Sequence, residues 1–396
     1  MRSVISGGIA GGIAAATLTA AALAAPATAA TLTAGALAAP ATAATSPAAT
    51  STAATSTTAL TSSHHPPTVH VLSSDYVFPF QFAVAHGKIY VADSGTSTVS
   101  LVGSDAPLVT GPQPGEIAGV DVNRDGPPAL AYTSTNYANG QTALTVRRRG
   151  GVVTADLSGF EQAQNPDGSQ HYGVDNPSQC VIDAFANLPD APPATYTGIL
   201  DSHPYSVSDA PGSSWWVADA GGNDLLKVDA TGHVSTVSVL PRQPLVITAD
   251  IAAGLGLPDC VVGVTYNFEP VPTDVEQAPN GALYVSTLPG GPEDPSFGAR
   301  GSVYRVDPRT GHATLVATGF SGATNLALGP NGKIYVAELF AGRISVISHG
   351  TVTPVVDLPN AVGVEYANGK LYASTMAPTD DQFNPTGPGT IVRIDL

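Results

Sequence analysis

The sequence predicts an all-β protein, a six-bladed β-propeller, on the basis of composition, a repeated strand motif and the spacing of turns. The chain has 396 residues, with 42 Gly, 34 Pro and 43% hydrophobic residues. This composition suits many short strands joined by tight turns. A repeated unit of four strands, with one aromatic motif in each unit, is typical of propellers.

The plainest unit covers residues 325–358. Its first two strands, NLAL and KIYVAE, flank Asn331-Gly332, and an Asn-Gly pair is the strongest short-range hairpin signal. The strands RISVIS and TPVVDL follow after small, Gly-bearing turns. Four such strands cannot bury their apolar faces alone, so we expect other units to pack against them.

The repeated motif is G-x-[LI]-Y-V-[AS]-[DET], which marks the second strand of a unit. It occurs at residues 87–93, 281–287, 332–338 and, with Ala for Val, 369–375. Residues 215–219 (WWVAD) are the same strand with Trp at the aromatic position. Together with a second unit that begins near residue 117, the pattern predicts six blades.

The sixth unit has only three strands before the chain ends. Val69-His70-Val71-Leu72, at the front of the predicted domain, has the pattern of the missing fourth strand. We therefore expect this N-terminal strand to complete the last blade and to close the ring. Closure removes a free sheet edge, which would otherwise promote aggregation.

The N-terminal part of the chain predicts export. Arg2 precedes an Ala-rich apolar run, and Ala27-Thr28-Ala29 forms a cleavage signal, so residues 1–29 are a signal peptide. Residues 17–30 recur almost unchanged as residues 31–44, which places an alternative cleavage site near residue 43. Residues 30–67 form a low-complexity Ala/Thr/Ser/Pro linker, and residues 68–396 form the propeller. No later segment has the length and apolarity of a membrane span, so we expect a secreted, extracellular protein without stable membrane insertion.

Charge and cysteine content narrow the partners. The formal net charge of −16 argues against nucleic acid and leaves a small molecule, a glycan or an extracellular protein. Cys180 and Cys260 are the only cysteines. Export favours one disulfide between them, and two buried free thiols are the alternative.

Loop lengths predict which face of the propeller is functional. Residues 159–205 and 241–273 are long insertions between blades, and residues 288–301 and 376–389 are long loops between second and third strands. In a propeller all four emerge on one face. Long loops on a rigid scaffold usually carry function, and Glu293-Asp294 with Asp380-Asp381 would make this face acidic.

Two short helices are predicted within the first insertion, at residues 158–163 and 176–186. The second has Asn176 at the cap and Pro177 at the first helical position. A Cys180–Cys260 disulfide would tie the two insertions together over the third blade.

Asp121, Asn123 and Asp125 form a candidate calcium loop. The stretch DVNRDG matches the first half of the pattern D-x-[DN]-x-[DN]-G, in which alternate oxygen ligands surround a cation. The later acidic ligands are absent, since position twelve is Tyr132. A hairpin turn is the favoured interpretation, and a calcium site is the alternative.

Six residues are candidates for a site at the channel mouth. They could supply oxygen and nitrogen ligands to one axial divalent metal: Asp93, His203, Asp219, Asp274, Asn325 and Glu338. The favoured alternative is that the carboxylates accept hydrogen bonds from backbone N–H groups where strands end. For His203, a packed or solvated imidazole is favoured over a general base.

The chain resembles the ScyD/ScyE family of secreted, six-bladed, TolB-like/NHL-like propeller proteins. The resemblance covers about residues 70–396 and is carried by residues 160–168 (FEQAQNPDG), 203–207 (HPYSV), 215–241 and 269–292. His203-Pro204-Tyr205 differs from the Asn-Pro-Tyr of the family. The resemblance implies a propeller fold but no established reaction and no catalytic residues. A weaker similarity to gluconolactonase-type and strictosidine-synthase-like propellers does not carry their chemistry.

The sequence therefore favours a binding protein over an enzyme. It contains no G-x-S-x-G elbow, H-E-x-x-H motif or P-loop. We expect the ligand or partner on the insertion-covered acidic face. The alternative is a divalent-metal-dependent hydrolase or lactonase, with Ca²⁺ or another divalent cation in the channel.

Overall fold

The computed structural model describes residues 66–123, 126–188, 191–292, 295–380 and 382–396. Within these ranges strands are the main regular structure and form antiparallel sheets that mostly have four strands. The prediction of an all-β chain built from four-stranded units is confirmed. None of the helices in the described ranges is long and apolar enough to cross a membrane.

Six sheets, here numbered I to VI, follow one another along the chain. Their strands up to the middle of the chain are β1 (Thr68–Tyr76), β2 (Gln81–Ala85), β3 (Lys88–Asp93), β4 (Thr98–Leu101), β5 (Val109–Thr110), β6 (Gly115–Glu116), β7 (Val120–Val122), β8 (Leu130–Asn136), β9 (Gln141–Arg148), β10 (Gly151–Asp156), β11 (His171–Gly173), β12 (Thr195–Thr197), β13 (Pro204–Ala210), β14 (Ser214–Asp219), β15 (Asp224–Val228) and β16 (Val234–Val239). The remaining strands are β17 (Gln243–Val246), β18 (Thr265–Phe268), β19 (Pro272–Gln277), β20 (Leu283–Thr287), β21 (Gly301–Val306), β22 (Ala313–Phe320), β23 (Ala323–Leu328), β24 (Ile334–Glu338), β25 (Arg343–Ser348), β26 (Thr351–Asp357), β27 (Ala361–Ala367), β28 (Lys370–Thr375) and β29 (Gly389–Asp395).

The helices are short and lie in the connections. The α-helices are α1 (Leu157–Gln164), α2 (Gln179–Ala186) and α3 (Ala249–Gly254), and single 3₁₀ turns lie at Asp259–Val261, Pro295–Phe297 and Pro330–Gly332.

Each of the six sheets is a meander of neighbouring strands. Sheet I is β2–β5, sheet II is β6–β10 with both β6 and β7 paired to β8, sheet III is β13–β16, sheet IV is β19–β22 and sheet V is β23–β26. Sheet VI consists of β27, β28, β29 and β1. In sheet V the first hairpin turns at Asn331 and Gly332, whose φ angles of 58° and 72° suit Asn and Gly.

The first strands of successive sheets, with β7 as their counterpart in sheet II, pack against one another. β2 contacts β7, β7 contacts β13, β13 contacts β19, β19 contacts β23, β23 contacts β27, and β27 contacts β2. Apolar clusters fill the space between neighbouring sheets. One example, between sheets II and III, contains Leu144, Leu157, Trp215 and Leu226. Antiparallel sheets stacked in this way form a β-propeller.

The two ends of the described chain meet in sheet VI. β1 pairs with β29 in antiparallel register, with Thr68 opposite Asp395 and Val71 opposite Val392. This N-terminal strand is thus the fourth strand of the last sheet, beside strands contributed by the C-terminus.

The two long insertions, which lie between sheets II and III and between sheets III and IV, form a unit of their own, here called the insertion unit (residues 157–203 and 240–271). Its sheet has the order β12-β11-β18-β17 and draws strands from both insertions. A small core of its own includes Phe185, which stacks on Tyr266 with ring centroids 5.0 Å apart. Cys180 and Cys260 form a disulfide with a Cα–Cα distance of 6.4 Å across a sequence separation of 80. The disulfide prediction is confirmed.

Both helices predicted in the first insertion are present, but the predicted cap of the second is wrong. α2 is capped by Ser178, whose Oγ accepts a hydrogen bond from the Val181 N–H at 3.4 Å. Asn176 instead takes a left-handed conformation with φ of 56°. Asn and Ser are about equally good caps, so the backbone conformation before Pro177 decided between them. α1 is capped by Asp156, which accepts from the Gly159 N–H at 2.8 Å.

Candidate functional site

Near the axis, Gln81 links three of the first strands. Its Oε1 accepts hydrogen bonds from the Val120 N–H at 2.8 Å and the Val207 N–H at 3.2 Å. Its Nε2 donates to the Val207 carbonyl at 3.1 Å and to Asp274 Oδ1 at 3.2 Å. A buried glutamine satisfied in this way fixes the spacing of strands across the axis.

Two predicted axial ligands, Asp274 and Asn325, continue this network. Asp274 Oδ2 accepts from the Leu326 N–H at 3.0 Å, and Asn325 Oδ1 accepts from the Val364 N–H at 2.8 Å. Burial raises the pKa of Asp274 to about 7. Each side chain therefore bonds the first strand of the next sheet. Asp274 and Asn325 therefore both have backbone partners, and a metal role for them stays a prediction.

The predicted strand-end carboxylates Asp93 and Glu338 lie at the ends of β3 and β24. Asp93 accepts from the backbone N–H groups of Val77 at 3.0 Å and Phe78 at 2.8 Å. Glu338 accepts from the Ser321 N–H at 2.8 Å and from Arg343 Nε at 2.7 Å. These contacts are those of the capping alternative.

Asp219, at the end of β14, has the same backbone role with a different neighbour. Its Oδ1 accepts from the N–H groups of His203 at 2.5 Å and Gly222 at 3.1 Å, and its Oδ2 accepts from Ser202 Oγ at 2.6 Å. Directly opposite it, on β15, stands Asp224. Two buried carboxylates therefore face each other across one antiparallel pair.

Glu161 of α1 and Asp167 complete a group of four acids, here called the carboxylate cluster (Glu161, Asp167, Asp219 and Asp224). Their exposed fractions are 6%, 1%, 2% and 1%. Both carboxylate oxygens of Asp224 are buried without a hydrogen-bond partner, as are Glu161 Oε1 and Asp167 Oδ1. The other oxygen of Asp167 accepts from the Tyr172 hydroxyl at 2.9 Å and from Asn223 Nδ2 at 3.0 Å.

The cluster converges on Gly222, in the turn between β14 and β15. A Cβ atom placed on Gly222 would lie 3.4 Å from Asp224 Oδ1, 3.5 Å from Glu161 Oε2 and 3.6 Å from Asp219 Cγ. Three carboxylates from two separate parts of the chain thus surround one backbone position that lacks a side chain.

Burial dominates the electrostatics of the cluster. Burial, together with the charges of Asp219 and Asp167, raises the pKa of Glu161 to about 8. Burial likewise raises the pKa of Asp167 to about 6, raises that of Asp219, and, with its acidic neighbours, holds that of Asp224 well above the ordinary range. No ion pair between described residues includes any of the four. Like charges in a low-dielectric site favour a neutral or cation-bound state.

His203, another predicted site residue, forms an ion pair rather than a free base. Its Nε2 contacts Oε1 of Glu116, and Ser94 Oγ donates to the other oxygen of Glu116 at 2.5 Å. Burial lowers the pKa of His203, but the Glu116 carboxylate outweighs burial and the pKa rises to about 9. The charged imidazole joins sheet III to the start of sheet II.

The candidate calcium loop forms a turn in its described part. Asp121 Oδ2 accepts from the Asp209 N–H at 2.7 Å, and Asn123 Nδ2 donates to the Pro127 carbonyl at 3.1 Å. Asp125 lies outside the described residues, as do Glu293, Asp294 and Asp381. A metal role for Asp121, Asn123 and Asp125 stays a prediction. In the described part of the chain, no group of three or more His, Cys, Asp or Glu residues is preassembled as a metal site.

Cavities lie on both faces. In the insertion unit, a cavity of about 560 Å³ lies beside Cys180 and is lined by residues around α2 and α3, among them Asp183, Leu188 and Leu257. On the opposite face, a cavity of about 1060 Å³ lies among the short turns, where Arg149 and Trp215 are part of its lining. The sequence pointed only to the first of these faces.

Sequence reasoning missed Glu116, Glu161, Asp167 and Asp224. Asp224 did carry a signal, because it stands five residues after the motif carboxylate, where the plainest unit has Arg343. Glu161 and Asp167 lie far from Asp224 in sequence, and only the folded insertion brings them together.

No protein-family model and no curated protein sequence matches the chain. Three solved structures are similar over 83% of it. They are a PQQ-bound aldose sugar dehydrogenase from Streptomyces coelicolor (11% identity, 98% of that chain, TM-score 0.48), virginiamycin B lyase from Staphylococcus aureus (12%, 99%, 0.46) and a protein of unknown function from Bacteroides thetaiotaomicron (11%, 76%, 0.49). Similarity at this level carries no argument about activity.

Proposed function

We propose that this chain is a secreted, six-bladed β-propeller binding protein of the ScyD/ScyE type. A small molecule, a glycan or an extracellular protein binds its insertion-bearing acidic face. Two observations support the architecture: the first strands of six sheets contact one another in cyclic order, and β1 pairs with β29. The six sheets are the blades, and β1 closes the ring.

The insertion unit carries the proposal of a binding face. It has its own sheet, its own apolar core and a disulfide, and its two halves precede and follow sheet III in the chain. Ordering so many residues opposes folding by roughly 1–2 kcal/mol for each backbone residue. The sheets already pack against each other through their own cores, so the unit is best explained by recognition. Its cavity of about 560 Å³ has the size of a small-molecule or side-chain pocket.

An axial-metal hydrolase has less support. Gln81, Asp274 and Asn325 direct their side chains to neighbouring strands. His203 is held by Glu116. These contacts engage the polar groups that would otherwise bind an axial metal and a substrate.

Deletion of residues 68–74 tests ring closure. Loss of most of β1 exposes β29 as a new edge, so we expect aggregation or a sharply lower melting temperature. Deletion of residues 46–52, in the predicted linker, is the control and leaves the melting temperature unchanged. Wild-type melting of the 68–74 deletion would contradict closure.

Export is tested by the mass of the protein recovered outside a bacterial host. Cleavage after residue 29, or near residue 43, gives two distinct masses. Full-length chain that stays inside the cell would contradict secretion.

Binding on the insertion face is tested by thermal shift on the exported protein. The panel contains mono- and oligosaccharides and aldonolactones, and the same samples are assayed for lactone hydrolysis with added Ca²⁺. We expect a stabilising compound whose effect disappears in the double variant Asp183→Ala/Leu188→Ala and persists in Arg149→Ala on the opposite face. A panel without any stabilising compound, the reverse pattern, or metal-dependent lactone turnover would overturn this proposal.

A further inference from the structure

We propose that Glu161, Asp219 and Asp224 bind a divalent cation with the coordination chemistry of Ca²⁺, at the turn between β14 and β15. The site is separate from the channel axis and from the loop at Asp121. It goes beyond the proposed function, because it requires no particular ligand on the insertion face.

The residue that faces the strand-end carboxylate differs from sheet to sheet. In sheet V, Glu338 faces Arg343, and in sheet I, Asp93 faces Thr98. In sheet III the equivalent partner of Asp219 is Asp224. The fold therefore accepts a neutral or cationic partner at this place, and only sheet III of these three supplies a second acid.

The Asp224 carboxylate is buried without a hydrogen-bond partner. It is 1% exposed, and neither of its carboxylate oxygens has a hydrogen-bond partner. A buried carboxylate without partners opposes folding strongly, and in native proteins such groups are paired or coordinate metals. Glu161, 6% exposed, adds a second such oxygen, Oε1.

The three carboxylates converge beside Gly222. The oxygens of Asp224 and Glu161 and the carboxyl carbon of Asp219 all lie within 3.6 Å of one point, the position of a Cβ on Gly222. The three carboxylates are not yet gathered at ligand distance. Asp224 borders this point with Oδ1, which has no hydrogen bond to lose. Glu161 borders it with Oε2, and its second oxygen, Oε1, has no hydrogen-bond partner.

The donor set selects the type of cation. All three side chains offer carboxylate oxygen, which hard cations prefer, and no sulfur or imidazole nitrogen is part of the set. Three carboxylates carry three negative charges, and a divalent cation removes most of the repulsion between them. The Asp201 backbone donates a hydrogen bond to the Glu161 carboxylate, and Asp167 is the fourth acid of the cluster.

Calorimetry with Ca²⁺ on the chelator-treated, full exported chain tests the site. We expect one Ca²⁺ per chain. At a concentration about 100 times the dissociation constant, the melting temperature should rise by roughly 5 °C. Asp224→Asn and Glu161→Gln should each weaken binding at least tenfold. Asp105→Asn, which removes one exposed carboxylate elsewhere, should bind as the wild type does.

Gly222→Ala keeps the test valid if an acidic variant fails to fold. The added methyl group makes only ordinary contacts of 3.4–3.6 Å, so the melting temperature in chelator stays near that of the wild type. The methyl group stands between the three carboxylates and prevents them from closing on a cation, so Ca²⁺ binding should be lost. Absence of binding by the folded wild type, or binding retained in all three variants, would overturn the inference. Because no organic ligand is present, either result leaves the proposal for the insertion face intact.

Discussion

Sheets III and V place the same kind of carboxylate at the end of the same strand and surround it differently. In sheet V, Glu338 is fully buried and is paired by Arg343 Nε at 2.7 Å, with Ser345 Oγ donating at 2.5 Å. In sheet III, Asp219 faces Asp224, and α1 adds Glu161. Sheet V satisfies its own charges, whereas sheet III depends on a proton or a cation.

This difference follows the distribution of the insertions. Sheet V is the plainest repeat in the sequence, with short connections throughout. Sheet III is flanked by both halves of the insertion unit, which supply Glu161, Asp167 and the disulfide. The blade that departs most from the repeat is thus the one with unbalanced charge, as expected for a functional region in a repeated scaffold.

The largest effect should come from removing the disulfide that links the two halves of the insertion unit. Replacing Cys180 and Cys260 together by Ser opens a loop of 80 residues. By the chain-entropy relation this lowers the free energy of unfolding by about 4 kcal/mol. Chemical denaturation measures it, and wild type unfolded in dithiothreitol should match the variant. A loss below about 1 kcal/mol would show that the insertion unit is held by packing alone.

Removing the positive charge of Arg343 should leave sheet V with an unbalanced buried carboxylate, as in sheet III. Arg343→Gln leaves Glu338 buried without its charged partner, which costs about 3 kcal/mol in typical buried pairs. Arg309→Gln is the matched control, because Arg309 is 88% exposed beside Asp307 and its loss should change stability little. Equal unfolding curves for Arg343→Gln and wild type would remove the contrast between the two sheets.

The pH dependence of the region over sheet III should come in part from Glu269. This side chain is 7% exposed, and burial raises its pKa from 4.5 to about 7, although Tyr196 donates a hydrogen bond to it at 3.1 Å. Since the folded pKa is the higher one, its stabilising contribution is complete below pH 4.5 and is lost as the pH rises through 7. The change is roughly 3 kcal/mol, from about 1.4 kcal/mol for each unit of the pKa difference.

Glu269→Gln tests this contribution. The amide oxygen still accepts from the Tyr196 hydroxyl, so the fold is kept while the titrating group is gone. Denaturation at pH 5 and pH 8 in chelator should show a smaller difference for the variant than for wild type. An unchanged difference would assign the pH dependence to other groups.

The smallest effect has the opposite sign. Asp224→Thr copies the arrangement of sheet I, where Thr98 faces Asp93. In chelator it should raise the free energy of unfolding by about 1 kcal/mol, because it removes one of the repelling buried carboxylates. Destabilisation in chelator would mean that Asp224 is already satisfied in the absence of added cation.

Much of the fold could be predicted because its signals are local. The motif strands, the Asn-Gly hairpin at residue 331 and the two helices of the first insertion depend on neighbouring residues. The sheet of the insertion unit could not be predicted, because its strands have three or four residues each and the two insertions pair through residues as distant as Gly173 and Asn267, which are 94 positions apart. For α2, Asn176 and Ser178 are both good caps, and sequence alone does not rank them.

The site divides in the same way. The capping contacts of Asp93 and Glu338 follow from their place at strand ends, so they were foreseeable. The meeting of Glu161 with Asp224 depends on how α1 packs beside β9, which no spacing in the sequence encodes.

The pairing of β1 with β29 has a mechanical consequence. Thr68 lies opposite Asp395, so the start of β1 lies beside the end of β29. A pull on the two ends would load this antiparallel pair one hydrogen-bonded rung at a time, as a zip opens, instead of shearing all rungs together. The outer strand of sheet VI would therefore peel away at low force while the disulfide-tied insertion stayed folded. A tether attached ahead of Thr68 would therefore release β1 before it stretched the rest of the molecule.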